Sequence, residues 1–323
     1  MSIPKIFIDD GSTTIKMRWL DKTGEPQKHL SPNSFKRGFS TNFGGTKAAN
    51  YTIGVEKYSF DPYNNETLKT REVRYQYGEL NLLAIHHALH TSGIEPQTID
   101  VVVSLPISEY FDADNQLNQA NIDRKTENLR RSVEAQGREP FTIRKIDVLP
   151  ESIPAGIEQL GQLPETFSML IVDLGGTTLD IAQVTGQATS ITRIQGVESL
   201  GVNIMTEAVR AAMVEADTPT SALMADLMIQ NRDNDDFLRE HLNNADKLPV
   251  LKKALADSQQ ALIQRVLDVV DTFKGFTHAM VIGGGAELIA DALKAHVNLR
   301  DDRFYKTEHS QFDLVDGMLR ISQ

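Results

Sequence analysis

The stretch that decides the fold is residues 170–184, which read LIVDLGGTTLDIAQV. An apolar run ends at Asp173, a Gly-Gly-Thr-Thr turn follows, and a second alternating run begins, which predicts a strand, a tight turn and a second strand. Glycines permit positive φ, so consecutive N–H groups of such a turn can point at one anion. A carboxylate at the strand end can hold a hydrated divalent cation. Alone, the pattern is equally consistent with an ordinary hairpin. The candidate phosphate ligands are Gly175, Gly176, Thr177 and Thr178.

The same pattern occurs about half a chain earlier, in residues 5–20, KIFIDDGSTTIKMRWL. Asp9 corresponds to Asp173, and both lead into a turn rich in glycine and hydroxyl side chains. An internal repeat of this kind predicts two related halves. Two facing hairpins can hold a polyphosphate from both sides, with a metal ion held between the two aspartates through water molecules. The candidate ligands of this hairpin are Gly11, Ser12, Thr13 and Thr14.

A third glycine-rich segment, FTHAMVIGGGAELIA, occupies residues 276–290. It predicts a buried strand, a glycine loop and a helix, an arrangement in which the backbone can approach a ring or a phosphate closely. The segment is not Gly-x-Gly-x-x-Gly, and the chain has no Walker lysine pattern. With the two hairpins upstream, the segment is interpreted as an adenosine loop formed by Gly283, Gly284 and Gly285; the alternative is an ordinary tight turn between a strand and a helix.

Glu151 precedes the second hairpin, in the segment LPESIPAGI of residues 149–157. A carboxylate at the start of a short helix between the two halves can reach the cleft, where it would orient or deprotonate an attacking water. The alternative is that Glu151 only stabilises the positive end of the helix dipole. Position alone does not separate these two interpretations.

Composition limits the classes of function. The chain has 323 residues, 40% of them hydrophobic, a formal net charge of −11 and no cysteine. This length suggests two domains, and the negative charge disfavours direct binding to nucleic acid. Disulfides and thiolate metal sites are excluded. Because no apolar run reaches transmembrane length, we expect a protein of the cytosol with no membrane contact.

Three further segments carry weaker predictions. Residues 21–77, rich in Gly, Asn, Pro and aromatic residues, suggest a small β-rich insertion. His86 and His90 have a metal-ligand spacing, but without an accompanying carboxylate we interpret them as histidines on a helix surface. Residues 118–136 suggest a charged helix whose basic side chains, including Lys125, face solvent.

The order of these elements resembles the actin, sugar-kinase and heat-shock ATPase superfamily, and most closely the plasmid-segregation actins of the ParM (StbA) family. The likeness extends along the whole chain and rests on the motifs FIDDGST at 7–13, SPNSFKR at 31–37, PESIPAG at 150–156, DLGGTTLD at 173–180, VIGGGAEL at 281–288 and FDLVDG at 312–317.

The resemblance implies an actin-like bilobal α/β ATPase fold, made of two duplicated ribonuclease-H-like halves with a nucleotide cleft between them. It places lobe I at residues 1–160 plus 308–323, and lobe II at 161–307 with a helical insertion at about 208–262. ATP, or alternatively GTP, would bind with Mg²⁺. Asp9 and Asp173 would serve the metal and the water, Glu151 would position the hydrolytic water, and Leu288 would lie beside the nucleoside.

The resemblance also implies partners. Such proteins polymerise when ATP is bound, and hydrolysis destabilises the filament. A ParR-like adaptor on a centromere-like plasmid site captures the filament ends, so the filament pushes plasmid copies apart without touching DNA itself. The alternative function is a small-molecule, sugar-type kinase of the same fold, for which Asp10 or Asp112 would have to act on the acceptor hydroxyl. No motif in the sequence supports that role.

Overall fold

Both predicted hairpins form, in a computed structural model that describes residues 3–41, 48–62, 64 and 67–322. Part of the predicted β-rich insertion, including Tyr63, lies outside the described residues. The strands are β1 Lys5–Asp10, β2 Thr14–Leu20, β3 Pro26–Pro32, β4 Phe35–Arg37, β5 Asn50–Ile53, β6 Glu56–Phe60, β7 Thr98–Leu105, β8 Glu134–Ala135, β9 Thr142–Pro150, β10 Ser168–Leu174, β11 Leu179–Thr185, β12 Ile191–Val197, β13 His278–Ile282 and β14 Phe304–Tyr305.

Helices cover the sheets and connect the strands. The α-helices are α1 Glu79–Thr91, α2 Ile107–Tyr110, α3 Gln119–Leu129, α4 Ile157–Gln162, α5 Asn203–Glu215, α6 Ala222–Gln230, α7 Asp235–Glu240, α8 Leu248–Val270, α9 Ala286–Val297 and α10 Asp313–Ile321. Short 3₁₀ helices span Val73–Tyr77, Ile153–Gly156, Gly186–Ala188, Ala245–Lys247, Asp301–Arg303 and Ser310–Phe312. Among the described residues, none of these helices is long and apolar enough to span a bilayer.

The two main sheets have the same topology. The first has the order β3-β2-β1-β7-β9 and the second has the order β12-β11-β10-β13-β14. In each, the hairpin and the strand that follows it form three antiparallel strands, and two later strands join in parallel. Parallel strands need crossover helices, which cover the sheet faces and bury the strands. Strand β10 is accordingly buried at every position. The prediction of two duplicated α/β halves is confirmed.

A third, smaller sheet of order β4-β6-β5-β8 lies beside the first main sheet. Its strands β4, β5 and β6 come from residues 21–77, whereas β3 of the same segment belongs to the main sheet. Strand β8 occupies a part of residues 118–136 that was predicted to be helical, because α3 ends at Leu129 and the chain turns to pair with β5.

The lobe boundaries stay a proposal, with lobe I at 1–160 plus 308–323 and lobe II at 161–307. Packing of the C-terminal helix supports this division. Val315 and Met318 of α10 bury their side chains against Phe7 of β1 and Val102 of β7, in the first sheet. The chain therefore returns to its first half after completing the second. Helices α5 to α8 cover the proposed helical insertion at about 208–262 and pack against β10 and β11.

His86 and His87 of α1 are buried, so the prediction of a surface histidine is wrong for His86, while His90 is partly buried. A hydrogen bond of 2.7 Å joins Nδ1 of His87 to the Tyr51 hydroxyl. The His87 ring stacks on the Phe60 ring, with 4.1 Å between the ring centroids. His86 is 2% exposed, and neither ring nitrogen has a partner among the described residues. The small sheet covers this face of α1, which the helical spacing alone did not reveal.

Burial of His86 leads to an expected acid sensitivity. Burial lowers the pKa of His86 to about 3. An unfolded chain would take up this proton near a pKa of about 6.5. Neutral His86 therefore makes its full contribution to the free energy of unfolding above that pH. The contribution is lost as the pH falls towards 3, by up to about 1.4 kcal/mol per pH unit. We expect His86→Leu to flatten the fall in unfolding free energy between pH 7 and pH 5, measured by urea denaturation. His296→Gln, on the surface of α9, should keep the wild-type slope, and a wild-type slope in His86→Leu would contradict the expectation.

Candidate active site

The turns of the two hairpins are in contact. Ser12 Oγ, in the turn after β1, lies 2.5 Å from Thr177 Oγ1, in the turn after β10. A Cβ atom added at Gly176 would overlap the side chain of Thr13, so glycine is required where the turns cross. The turns of the two hairpins thus face each other, as the repeat predicted.

The register of each hairpin places a charged side chain opposite its aspartate. In the first hairpin Asp9 pairs with Lys16, whose Nζ donates to Asp9 Oδ2 at 2.7 Å. Burial opposes the charge of Lys16, but attraction to Asp9 raises the pKa of the ammonium above its ordinary value. In the second hairpin the equivalent pair is Asp173 and Asp180. One position of the repeat therefore carries a cation in one half and an acid in the other.

Glu151 is held where β9 ends. Its N–H donates to the Leu105 carbonyl at 2.8 Å, and Ser152, at φ +67°, donates from Oγ to the Asp180 carbonyl at 3.1 Å. A non-glycine residue in the left-handed region indicates local strain. A Cβ at Gly317 would overlap the Pro154 carbonyl, so α10 packs directly on the turn that follows Glu151. Contacts from both halves thereby hold the backbone at Glu151 and Ser152.

Burial and mutual repulsion raise the pKa values of the acids at the cleft. Burial, followed by repulsion from Asp9, raises the pKa of Asp173 to about 8. Burial raises the pKa of Asp180 to about 6. Burial, followed by repulsion from Asp180, raises the pKa of Glu151 well above its usual range. Such shifts are typical of a site that binds a cation or moves a proton.

The third glycine segment reaches the same place. Gly283, at φ +89°, lies so close to Asp173 Oδ1 and the Leu174 carbonyl that a Cβ would overlap both. Its N–H donates to the Ser310 carbonyl at 3.1 Å. The backbone after β13 is therefore pressed against the second hairpin, as expected for a loop that approaches a ligand closely.

Two adjoining cavities lie between the halves. The smaller, of about 50 Å³, holds twelve of the predicted residues in its lining. These are Asp9, Gly11, Ser12, Thr13, Glu151, Asp173, Gly175, Gly176, Thr177, Thr178, Gly283 and Gly284. The larger cavity, of about 450 Å³, shares Thr13, Gly176, Gly283 and Gly284 with the smaller one. Its lining also includes Thr14 and Leu288. Gly285 lies outside both and packs against Leu174 and Val202.

Several residues in or beside the cleft were not predicted from the sequence. Lys16 lines both cavities, and its antiparallel position opposite Asp9 was the signal that could have identified it. Asn33 donates from Nδ2 to the Gly11 carbonyl and to the Tyr75 hydroxyl, both at 2.9 Å, and so supports the first turn from the side. Arg71 and Asp226 line the larger cavity and connect the halves across it.

The donor set of the cleft fits a hydrated magnesium ion. Asp9 and Asp173 are both largely buried, and their repulsion is relieved by a cation between them. Among the described residues, no three acidic or histidine side chains converge to hold a metal directly. Mg²⁺ usually keeps several waters and is bound through one or two carboxylates plus substrate phosphates. Asp9 and Asp173 would therefore contact the waters of a bound Mg²⁺ ion.

The family comparison covers the whole chain. Residues 4–162 match the model described as plasmid segregation protein ParM, N-terminal, and residues 163–321 match the model for ParM, C-terminal. The chain belongs to the ParM family of plasmid segregation proteins. A search among curated proteins gave no match.

Solved structures place this ParM-family chain in the actin-like fold. An archaeal actin homolog is 16% identical, with 99% of each chain covered and a TM-score of 0.72. The structure of that homolog in complex with ADP is 16% identical in sequence. The match covers 98% of this chain and 97% of the homolog, with a TM-score of 0.69. The ParM of a 15-stranded filament from Clostridium botulinum is 15% identical, with 99% of each chain covered and a TM-score of 0.71. The predicted family and fold are confirmed, and no comparison favours the sugar-type kinase.

Proposed function

We propose that this ParM-family protein hydrolyses ATP, with GTP as the alternative nucleotide, and couples hydrolysis to the assembly and disassembly of a filament of its own copies. The observation that carries the proposal is the meeting of both hairpins with Glu151 at one small cavity that adjoins a larger one. The larger cavity has the size of a typical small-ligand site, and the archaeal homolog of the same fold binds ADP.

The roles of the residues follow from their positions. The hydroxyl and amide groups of Ser12, Thr13, Thr177 and Thr178, with the amides of Gly11 and Gly176, would bind phosphate oxygens, joined by the Lys16 ammonium. Gly175, whose N–H donates to the Thr178 carbonyl at 3.0 Å, would hold the turn in shape around the phosphates. Gly283 and Gly284, with Thr14 and Leu288, would contact the nucleoside, and Gly285 would support the loop from behind. Asp9 and Asp173 would hold the waters of Mg²⁺, which would supply positive charge to neutralise the phosphates.

Glu151 is the proposed proton acceptor. Burial, followed by repulsion from Asp180, raises the pKa of Glu151, which makes its carboxylate a stronger base than an exposed one. Hydrogen bonds of its N–H and of Ser152 hold its backbone, and Glu151 lines the small cavity. The carboxylate would take a proton from water as the water attacks the terminal phosphate, and the amide cradle would stabilise the charge on the phosphoryl oxygens.

Family membership supports the assembly and the partners of the proposal. The filament of the Clostridium botulinum ParM suggests that copies of this chain associate into a polymer. A ParR-like adaptor on a centromere-like plasmid site would connect the filament to DNA, because the net charge of −11 disfavours direct contact with nucleic acid. We place this activity in the bacterial cytosol, where plasmid DNA is found.

The test combines light scattering and sedimentation. We expect ATP with Mg²⁺ to produce a scattering signal and pelletable protein, followed by decay of the signal as phosphate is released. ADP should give neither, and the same assay with GTP decides the nucleotide preference. Phosphate transfer to a sugar, with no polymer at any ATP concentration, would replace the filament function by the kinase alternative.

Arg71 leads to an expected effect on nucleotide retention. Its guanidinium donates to Asp226 Oδ2 at 2.6 Å and to Thr206 Oγ1 at 2.8 Å, across the larger cavity. Charge-assisted hydrogen bonds of this kind contribute about 1.5–3 kcal/mol, so we expect Arg71→Ala to speed ADP release by about tenfold or more. Stopped-flow release of a fluorescent ADP measures this rate. Arg74→Ala removes an exposed neighbouring arginine and should release ADP at the wild-type rate; equal rates for both variants would contradict the expectation.

A further inference from the structure

Gln76 is a buried amide at the phosphate end of the cleft. It lies in the 3₁₀ helix Val73–Tyr77, is 4% exposed and lines the small cavity together with Glu151 and Asp173. The proposed roles above do not include it. A buried amide normally satisfies its hydrogen-bonding groups, so the partners of each amide atom indicate what the side chain does.

Lys125 determines which way this amide faces. Its Nζ contacts Oδ2 of Asp10 and Oε1 of Gln76, and it lies 3.1 Å from Oδ1 of Asn81. An ammonium group has three donors and no acceptor, so these three oxygens use its full capacity. The lysine and the acid are both completely buried. Because the ammonium only donates, the oxygen of Gln76 must face Lys125, and the amide nitrogen must point away from it.

Because Oε1 is bonded to Lys125, the amide nitrogen Nε2 is the polar atom of Gln76 that can face the small cavity. The structure gives Nε2 no hydrogen-bond acceptor within the described part of the chain, whereas Oε1 is bonded. Asn81 Nδ2 also donates to Asp10 at 2.6 Å, which ties the orientation to β1 and α1. A donor with no acceptor in the protein, beside a cavity lined by phosphate-binding groups, suits an oxygen of the reactants.

We propose that Gln76 is a further catalytic residue, whose Nε2 donates a hydrogen bond to the water that attacks the terminal phosphate. This inference rests on the proposed hydrolysis. One lone pair of the water oxygen forms the new bond to phosphorus, and the second accepts from Gln76. The bond from phosphorus to the bridging oxygen breaks, ADP keeps that electron pair, and Glu151 takes a proton from the water. The donor and the acceptor together fix the direction of attack.

Gln76→Glu tests the donor. The variant keeps the side-chain shape and the oxygen that faces Lys125, but replaces the N–H donor by an acceptor. Gln76→Leu removes the donor without adding a charge. Since loss of one such donor typically costs about 10²–10³ in rate, we expect single-turnover ATP hydrolysis to fall by about that factor in both variants. ADP affinity should change little, because ADP lacks the terminal phosphate. Gln97→Glu adds the same charge at an exposed loop position and should hydrolyse normally.

The outcomes separate this inference from the proposed function. If wild-type protein hydrolyses ATP and Gln76→Leu does so equally fast, the catalytic role of Gln76 is overturned while the proposed function stands. If both variants lose ADP binding together with hydrolysis, Gln76 is structural and the inference is overturned. If the wild-type protein itself does not hydrolyse ATP, the proposed function fails first. Loss of hydrolysis with ADP binding retained, in both variants, supports the inference.

Discussion

Glu151→Ala should lower ATP hydrolysis by about 10²–10⁴-fold, the range typical of losing a general base. The carboxyl of Glu151 lies beside Asp173 in the small cavity, where burial and repulsion from Asp180 raise its pKa. ATP binding should persist, because the amides and hydroxyls of both hairpins are unchanged. We therefore expect a filament that assembles with ATP and does not decay. Phosphate release and light scattering, recorded in the same sample, measure both effects.

The matched control for this substitution is Glu165→Ala. Glu165 is exposed in the turn before β10, so its removal takes away the same charge without touching the cleft. We expect wild-type hydrolysis and normal decay of the filament. A Glu151→Ala protein that hydrolyses at the wild-type rate would leave Glu151 only the role of stabilising a helix end, which was the alternative drawn from its position in the sequence.

The sequence predicted the hairpins because their information is local. Glycine and threonine at a turn, between runs of alternating apolar residues, are enough to indicate a strand, a turn and a strand. The repeat then implied that the turns after Asp9 and Asp173 lie close together. The contact between Ser12 and Thr177 confirms this. The glycine loop after β13 was predicted for the same reason, since strand, glycines and helix follow one another directly in the chain.

The charged groups of the cleft needed information that the chain order does not carry. Lys16 occupies a strand that reads as half exposed, and only the register of the hairpin places it opposite Asp9. Arg71 meets Asp226 from the other half of the molecule, far away in sequence. Lys125 belongs to a helix with several exposed charges, where the default expectation is a solvated side chain. In each case tertiary packing decides which way the side chain turns.

Lys125→Met is expected to destabilise the protein by about 3–5 kcal/mol, the typical cost of removing one partner of a buried ion pair. The substitution leaves the carboxylate of Asp10 buried, with Asn81 Nδ2 and the Ser104 N–H as its remaining donors. Burial lowers the pKa of Lys125, and attraction to Asp10 opposes that shift, so the ammonium and the carboxylate depend on each other. The free energy of unfolding in urea, followed by circular dichroism, measures the loss.

A second substitution tests whether the uncompensated charge causes that loss. Asp10→Asn in the Lys125→Met background removes the charge and keeps an oxygen that can accept from the Ser104 N–H. We expect the double variant to be more stable than Lys125→Met alone, because breaking a buried pair costs more than replacing both partners. Lys145→Met, a strand lysine whose side chain is 62% exposed, is the matched control, and its unfolding free energy should change by no more than about 0.5 kcal/mol. A Lys125→Met protein as stable as this control would show that the Asp10–Lys125 pair does not stabilise the first half.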